Sequence, residues 1–216
     1  MTTPHRHDSD ARAAGADDRH LIVVRHGESE WNALGKWQGR ADTQLTDAGR
    51  RQAADAARRL LDTGTGVDRI VASSLSRALE TATIIAHHLG LGAPLIDDRL
   101  VETDVGPWEG LREHEIESGW PNYLRDRKTP PDFEPPHQVF ARAVESLREH
   151  AESGQRILVV SHSGLIRTLR RMMNVHDRRL HNLEGCTFRL EASGDLVAGD
   201  FVALAHAAQP TTNDSV

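Results

Sequence analysis

Short apolar runs recur along the chain, and most are followed by longer stretches with helical periodicity. The first run, LIVV, occupies residues 21–24, and a run of the same kind, ILVV, occupies residues 157–160. Continuous runs of this length, rich in β-branched residues, are typical of strands buried on both faces of a sheet. Because such strands alternate with helices, the sequence predicts the α/β class, with a mostly parallel central sheet between helical layers in a three-layer α/β/α sandwich.

Turn residues and periodicity divide the chain further. One helix is predicted to open at Thr46 and Asp47 and to end near Gly64, and a second helix is predicted to end at Gly90. Residues 97–136 are irregular and rich in Gly, Pro and charge, which in a compact domain indicates a binding loop or lid. Further strands are predicted over residues 70–72, 94–96, 187–190 and 196–204, and further helices over residues 111–118, over residues 137–153 and after Gly164.

Composition limits the classes of protein to which the chain can belong. Its 216 residues favour one domain of ordinary size, and no apolar run approaches the length that spans a bilayer. The formal net charge of −6 argues against general binding of nucleic acid. The single cysteine, Cys186, excludes an internal disulfide and suits a reducing compartment, so a cytoplasmic location is expected. We expect residues 1–18 to form a disordered tail, residues 19–206 a single domain and residues 207–216 a flexible tail.

Two of the thirteen histidines follow matching apolar runs, LIVV-R-H-G and ILVV-S-H-S-G. Groups just beyond the carboxyl ends of parallel strands line the crevice where ligands bind, so His26 and His162 should face one crevice if their strands are neighbours. Arg25 stands beside His26, and residues 73–77 bring Arg77 to the same place at the start of a helix. Because guanidinium groups match the tetrahedral oxygens of phosphate, the sequence predicts a site for a phosphoryl group.

Longer segments carry a resemblance to a known family. Residues 21–32, LIVVRHGESEWN, resemble the signature of the histidine phosphatase superfamily, which includes cofactor-dependent phosphoglycerate mutases and many small phosphatases. The resemblance continues at residues 73–82 (SSLSRALETA), 99–111 (RLVETDVGPWEGL) and 159–167 (VVSHSGLIR), in the order of the family. It covers most of the chain between the tails. It implies a phosphoglycerate mutase-like fold and hydrolysis of a small phosphomonoester through a phosphohistidine.

The resemblance also implies roles for individual residues. His26 is expected to be the nucleophile, with its other ring nitrogen kept as N–H by a nearby acceptor. Arg25, Arg77 and His162 are expected to bind the phosphoryl oxygens, and His162 would serve best in its protonated form. Glu102 matches the proton donor of the family. The remaining implied substrate or phosphate contacts are Asn32, Gln38 and Gly39, together with Ser163, which stands where glycine is common.

No metal ion and no cofactor are expected, because the arginines neutralise the charge of the phosphoryl group. The expected partner is a small phosphorylated metabolite, and neither nucleic acid nor a membrane is expected to bind. The sequence leaves the physiological phosphomonoester and the oligomeric state open.

Alternatives to a phosphatase remain at this point. A cofactor-dependent phosphoglycerate mutase is the second interpretation, but Val105 stands where mutase-type relatives carry a tyrosine, and the segment with Arg112, Arg125, Arg127 and Lys128 has no Arg-Arg pair. A catalytically silent phosphate-binding module is the third. Residues 135–138, PPHQ, depart from the Gly-Glu-Ser turn that many relatives carry, so His137 is either a replacement contact or an exposed residue at a helix start.

Overall fold

The computed structural model describes residues 20–205. The tails predicted over residues 1–18 and 207–216 lie outside the described residues. The strands, in chain order, are β1 (His20–Arg25), β2 (Arg69–Ala72), β3 (Leu95–Ile96), β4 (Ile157–Ser161), β5 (Glu184–Leu190) and β6 (Leu196–Ala203). They form one six-stranded sheet with the order β3-β2-β4-β1-β5-β6.

The first four strands in the chain are parallel to one another, whereas β5 pairs antiparallel with β1 and β6 pairs antiparallel with β5. The register of β1 on β4 aligns Leu21 with Ile157 and Arg25 with Ser161. The two strands therefore end at the same level, and the next residue of each, His26 or His162, lies at the same sheet edge. The predicted α/β class with a mostly parallel sheet is confirmed.

Helices cover both faces of this sheet. The helices of the described residues, in chain order, are α1 (Glu30–Ala33), α2 (Asp47–Asp62), α3 (Ser76–Leu89), α4 (Glu113–Gly119), α5 (Pro136–Ala151) and α6 (Ser163–Met172). Helices α5 and α6 pack on the face that carries Leu21 and Val23. Helices α2 and α3 pack on the other face, against Val24 and Val160. Because alternate side chains of a strand point to opposite faces, the single apolar run of β1 supplies both cores of the α/β/α sandwich. Within residues 20–205, no helix has both the length and the apolar character needed to cross a membrane.

The start of α2 is attached to the segment that follows His26. Thr46 caps this helix: its Oγ1 accepts a hydrogen bond from the Gly49 amide at 3.0 Å and donates one to the Glu28 carboxylate at 2.7 Å. The Gln52 side chain accepts a hydrogen bond from the Glu28 amide at 2.8 Å. A Cβ atom at Gly49 would collide with the carbonyl oxygen of Glu28. The two backbones approach so closely that glycine is required at this position.

The irregular segment predicted over residues 97–136 contains two short 3₁₀ turns, Asp98–Leu100 and Gly106–Trp108, and the helix α4. Trp108 is fully buried, and its ring lies 5.1 Å from that of Trp37 in an edge-to-face arrangement. Trp37, Trp108 and the residues packed on them form an aromatic cluster, which anchors the segment beside the sheet edge where β1 and β4 end. Other aromatic members of the cluster are Trp120, Tyr123 and Phe133.

Candidate active site

His26 is the first residue beyond β1, and its side chain is almost completely buried. Its Nδ1 lies 2.6 Å from the carbonyl oxygen of Gly27, and its Nε2 lies 3.2 Å from Nε of Arg77. A carbonyl oxygen can only accept a hydrogen bond, and a guanidinium can only donate one. In the neutral ring the proton therefore lies on Nδ1, and Nε2 carries the lone pair.

Arg77 lies in the first turn of α3 and is fully buried. Besides its contact with His26, its Nη1 donates to the carbonyl oxygen of Ala41 at 2.6 Å and its Nη2 to that of Gly39 at 2.9 Å. Burial lowers the pKa of Arg77 to about 10, so the guanidinium is still charged near neutral pH. The side chain thus places a fixed positive charge against Nε2 of His26.

His162 follows β4 and is the N-cap residue of α6. Its ring is fully buried, and the centroid lies 5.3 Å from that of the His26 ring. Its Nε2 lies 2.8 Å from Oγ of Ser73 at the end of β2. Within the described residues, Nδ1 of His162 and Oγ of the neighbouring Ser163 are buried without a hydrogen-bond partner. Two polar atoms at the start of one helix are therefore available to a ligand.

Both histidines are neutral near pH 7. The pKa of His26 lies well below the usual 6.5, because burial disfavours the charged ring and Arg77 and Arg25 repel it. The pKa of His162 is also well below 6.5, through burial first and then through Arg77 and His26. The protonated form expected for His162 is therefore not the form that its surroundings favour. Burial, which sequence patterns do not reveal, is the physical reason for the difference.

Glu102 lies in the loop between β3 and α4, and its carboxylate reaches the start of α6. One carboxylate oxygen accepts hydrogen bonds from the Thr103 amide at 2.7 Å and the Leu165 amide at 3.0 Å, and the other accepts one from the Gly164 amide at 3.0 Å. A Cβ atom at Gly164 would stand only 2.6 Å from the carboxylate. The position of Glu102 thus depends on three amides and on the lack of a side chain at Gly164.

Arg25, Asn32 and Asn182 connect the His26 loop to the segment that follows α6. Nη1 of Arg25, which is almost completely buried, donates to the carbonyl oxygen of Leu180 at 2.8 Å. The Asn182 side-chain amide donates to the carbonyl oxygen of His26 at 3.0 Å and to the side-chain oxygen of Asn32 at 3.3 Å. The segment after α6 therefore packs against the loop that carries the nucleophile candidate.

The other residues implied by the sequence are placed around the same loop. The side-chain oxygen of Gln38 accepts hydrogen bonds from Ser29 Oγ at 2.7 Å and from Thr43 Oγ1 at 2.6 Å. The carbonyl oxygen of Gly39 accepts from Arg77. His137 is exposed in the first turn of α5, which corresponds to the helix-start alternative.

Sequence reasoning missed several residues of this site. Ser73 contacts His162, Asn182 contacts the backbone of His26, and Thr81 Oγ1 accepts a hydrogen bond from the Gly27 amide at 3.0 Å. Ser73 carried a usable signal, because it is the polar residue directly after the apolar run of β2. Asn182 lies in a loop without periodicity, so no local pattern could have identified it.

The arrangement combines an imidazole lone pair, charged guanidinium groups, backbone amides at a helix start and one carboxylate. These groups can accept a phosphoryl group on nitrogen, balance its charge and move a proton at the adjacent oxygen. Within residues 20–205, no group of three or more His, Cys, Asp or Glu side chains is arranged to bind a metal ion.

The chain is similar in sequence to a known family and to several of its members. Residues 21–192 match the family model described as histidine phosphatase superfamily (branch 1). The chain is 36% identical over 162 residues to phosphoglycerate mutase-like protein 4 of Arabidopsis thaliana, covering 71% of this chain and 70% of the relative. It is 35% identical over 165 residues to glucosyl-3-phosphoglycerate phosphatase of Mycolicibacterium vanbaalenii, covering 70% of this chain and 72% of the relative. Relatives named as 2,3-bisphosphoglycerate-dependent phosphoglycerate mutases also match.

Solved structures agree with the sequence relatives. The mycobacterial glucosyl-3-phosphoglycerate phosphatase solved in complex with VO3 has a TM-score of 0.75 to this chain and is 26% identical to it. The matched region covers 86% of this chain and 99% of the solved one.

Proposed function

The chain belongs to the histidine phosphatase superfamily (branch 1), and on that basis we propose that it is a phosphatase that hydrolyses small phosphomonoesters through a phosphohistidine on His26. One observation carries the proposal. The Gly27 carbonyl accepts from Nδ1 of His26, so the lone pair is on Nε2, the nitrogen that Arg77 contacts. A neutral imidazole with its lone pair beside a buried cation is prepared to attack an anionic phosphoryl group.

In the first step, Nε2 of His26 forms a bond to phosphorus while the bond from phosphorus to the leaving oxygen breaks. Glu102 enters this step protonated and donates its proton to that oxygen, so the product leaves as a neutral alcohol. In the second step, water attacks phosphorus, the nitrogen–phosphorus bond breaks, and Glu102 takes a proton from the water. Inorganic phosphate is released, and His26 and Glu102 return to their starting protonation states.

Charge on the phosphoryl oxygens is balanced by Arg25, Arg77 and His162. The pKa of His162 is low because burial, Arg77 and His26 all oppose its charge. A phosphoryl dianion in the pocket acts in the opposite direction and favours protonation of His162. Nδ1 of His162 and Oγ of Ser163, both buried and without a partner in the described part of the chain, are then able to bind the ligand.

We assign further substrate or phosphate contacts to Asn32, Gln38, Gly39 and Ser163. The ligand is a small phosphorylated metabolite. We further propose that residues 19–206 form a single domain and that the enzyme is cytoplasmic, in keeping with the single cysteine, whose thiol is buried.

Relatives named as mutases keep phosphoglycerate mutase activity as the second candidate. Two features of this chain favour hydrolysis. Val105 stands where mutase-type relatives carry a tyrosine, and it is buried against Trp108 and Ile116 rather than available to a substrate. Residues 111–133 carry no adjacent pair of arginines.

The decisive experiment measures phosphate release from p-nitrophenyl phosphate and from a panel of phosphorylated metabolites, ranked by kcat/KM. His26→Ala should abolish turnover and the acid-labile phosphoenzyme, whereas His88→Ala, which changes an exposed histidine at the end of α3, should retain both. Full activity in the His26→Ala variant would overturn the proposal. A parallel assay with 3-phosphoglycerate separates the two candidates, because efficient isomerisation that depends on 2,3-bisphosphoglycerate would identify a mutase.

A further inference from the structure

Arg142 on α5 directs every N–H of its side chain to the loop that carries Glu102 or to Glu134. Nη1 donates to the carbonyl oxygens of Arg99 at 2.8 Å and Val101 at 2.6 Å. Nη2 donates to the carbonyl oxygen of Glu102 at 3.1 Å. The remaining two N–H groups form a fork with the Glu134 carboxylate at 2.8 and 3.0 Å. A guanidinium has five N–H donors, and all five are used here.

Glu134 ties the same loop from its other side. Its carboxylate accepts a hydrogen bond from the Asp104 amide at 3.0 Å, and its own amide donates to the Asp104 carbonyl at 2.8 Å. Arg40 lies 3.3 Å from this carboxylate. Arg142 and Glu134 are both largely buried, so their fork is shielded from water and keeps its geometry. The backbone is therefore held on both sides of Glu102.

The loop has little regular structure of its own. Only the turn Asp98–Leu100 precedes Glu102, and the Glu102 carboxylate must span from this loop to the amides of Gly164 and Leu165. A shift of the backbone by about 1 Å is enough to misplace a reacting group. Arg142 contacts the backbone of the proton donor candidate, and none of the five hydrogen bonds of its side chain goes to His26.

We propose that Arg142 is the positioning residue of the proton donor: it fixes the backbone of the 99–102 loop so that the Glu102 carboxylate reaches the leaving oxygen. This inference rests on the proposed function, in which Glu102 protonates that oxygen. Because proton donation matters most for a basic leaving group, loss of Arg142 slows hydrolysis in proportion to the basicity of the alcohol released. A residue that only stabilised the fold would slow all substrates equally.

The test compares two substrates of nearly the same shape, p-nitrophenyl phosphate and phenyl phosphate, of which only the second releases a strongly basic oxyanion. In Arg142→Gln, we expect kcat/KM for phenyl phosphate to fall by about 10- to 100-fold and that for p-nitrophenyl phosphate by less than about 3-fold. Arg156→Gln, which removes an arginine from an ion pair with Asp68 far from the site, is the matched control and should leave the ratio unchanged. Equal losses for both substrates, or no loss for phenyl phosphate, would overturn the inference.

If Arg142→Gln folds poorly, the variants Arg142→Lys and Glu134→Gln test the same inference. Lysine keeps the charge but cannot bridge three carbonyls and a carboxylate, so it should show the same selective loss. In a Glu102→Gln background, Arg142→Gln should add no further change to the substrate ratio, and an additional change would contradict the proposed route through Glu102. Inactive wild-type protein, or an active His26→Ala variant, would instead refute the proposed function.

Discussion

Nε of Arg77 donates a hydrogen bond to Nε2 of His26 at 3.2 Å, and this contact joins the end of β1 to the first turn of α3. The other two nitrogens of Arg77 are bound to backbone carbonyls of the segment that follows α1. That segment is attached to α3 once more by Asp42, whose carboxylate accepts hydrogen bonds from the Ser76 amide at 2.7 Å and from its hydroxyl at 2.8 Å. The cation that meets the nucleophile is thus fixed by two backbone carbonyls of this segment.

Arg77→Lys should therefore be severely impaired although it preserves the charge. Lysine cannot donate simultaneously to His26, Gly39 and Ala41 from a planar fork. We expect kcat/KM for p-nitrophenyl phosphate to fall by about 100- to 1,000-fold, as when one donor to a developing anion is removed. Arg69→Lys, at an exposed arginine of β2, is the control, and a loss below about 10-fold in Arg77→Lys would contradict the role assigned to the fork.

Gly164→Ala tests the steric relationship between α6 and Glu102. The added methyl group would lie 2.6 Å from the carboxylate, so Glu102 must move, while alanine itself suits a helix. We expect nearly unchanged thermal stability together with a loss of kcat/KM that is larger for phenyl phosphate than for p-nitrophenyl phosphate. Activity equal to wild type on both substrates would show that displacement of this carboxylate is harmless.

Gly49→Ala tests the close approach of α2 to the His26 loop. The methyl group meets the rigid backbone carbonyl of Glu28, so the helix start must shift. Urea denaturation should show a loss of about 2 to 4 kcal/mol in the free energy of unfolding, the scale of severe overpacking. Gly92→Ala is the matched control, because no atom lies within 4 Å of its Cβ position, and it should change stability by less than about 1 kcal/mol.

The burial of His26 and His162 makes the free energy of unfolding depend on pH. Their pKa values in the folded protein lie well below the 6.5 of an exposed ring, so the unfolded chain binds more protons once the pH falls below that value. The contribution of these two histidines to the free energy of unfolding is fully present above about pH 6.5. It decreases on acidification, by at most about 1.4 kcal/mol per pH unit for each histidine.

Urea denaturation between about pH 7.5 and pH 5 measures this slope. The double variant His26→Asn, His162→Asn removes both groups and should give a flatter dependence. Asp97 does not interfere in this range: desolvation raises its pKa, but the hydrogen bonds from Arg99, Ser146 and His150 together lower it further, which confines its effect to more acidic solutions. A slope that is the same in the double variant and the wild type would contradict the assignment to the two histidines.

The part of the site that stands on strand ends could be predicted from the chain alone. His26 and His162 follow similar apolar runs, and any fold that makes β1 and β4 neighbours brings them together; the observed pairing does so. The contacts of Asn182 and Arg142 could not be predicted, because they depend on packing between segments that are distant in sequence and carry no periodic signal. The low pKa of His162 in the ligand-free protein could not be predicted for a related reason, since the burial of a side chain is a property of the fold.

The pairing of β1 with β4 makes the spacing of the two histidines independent of the chain that connects them. The register of these two strands sets the spacing whatever the length of the loops between them. The separation of the two rings is thus a property of the sheet, whereas the place of the Glu102 carboxylate is a property of the loop that Arg142 holds.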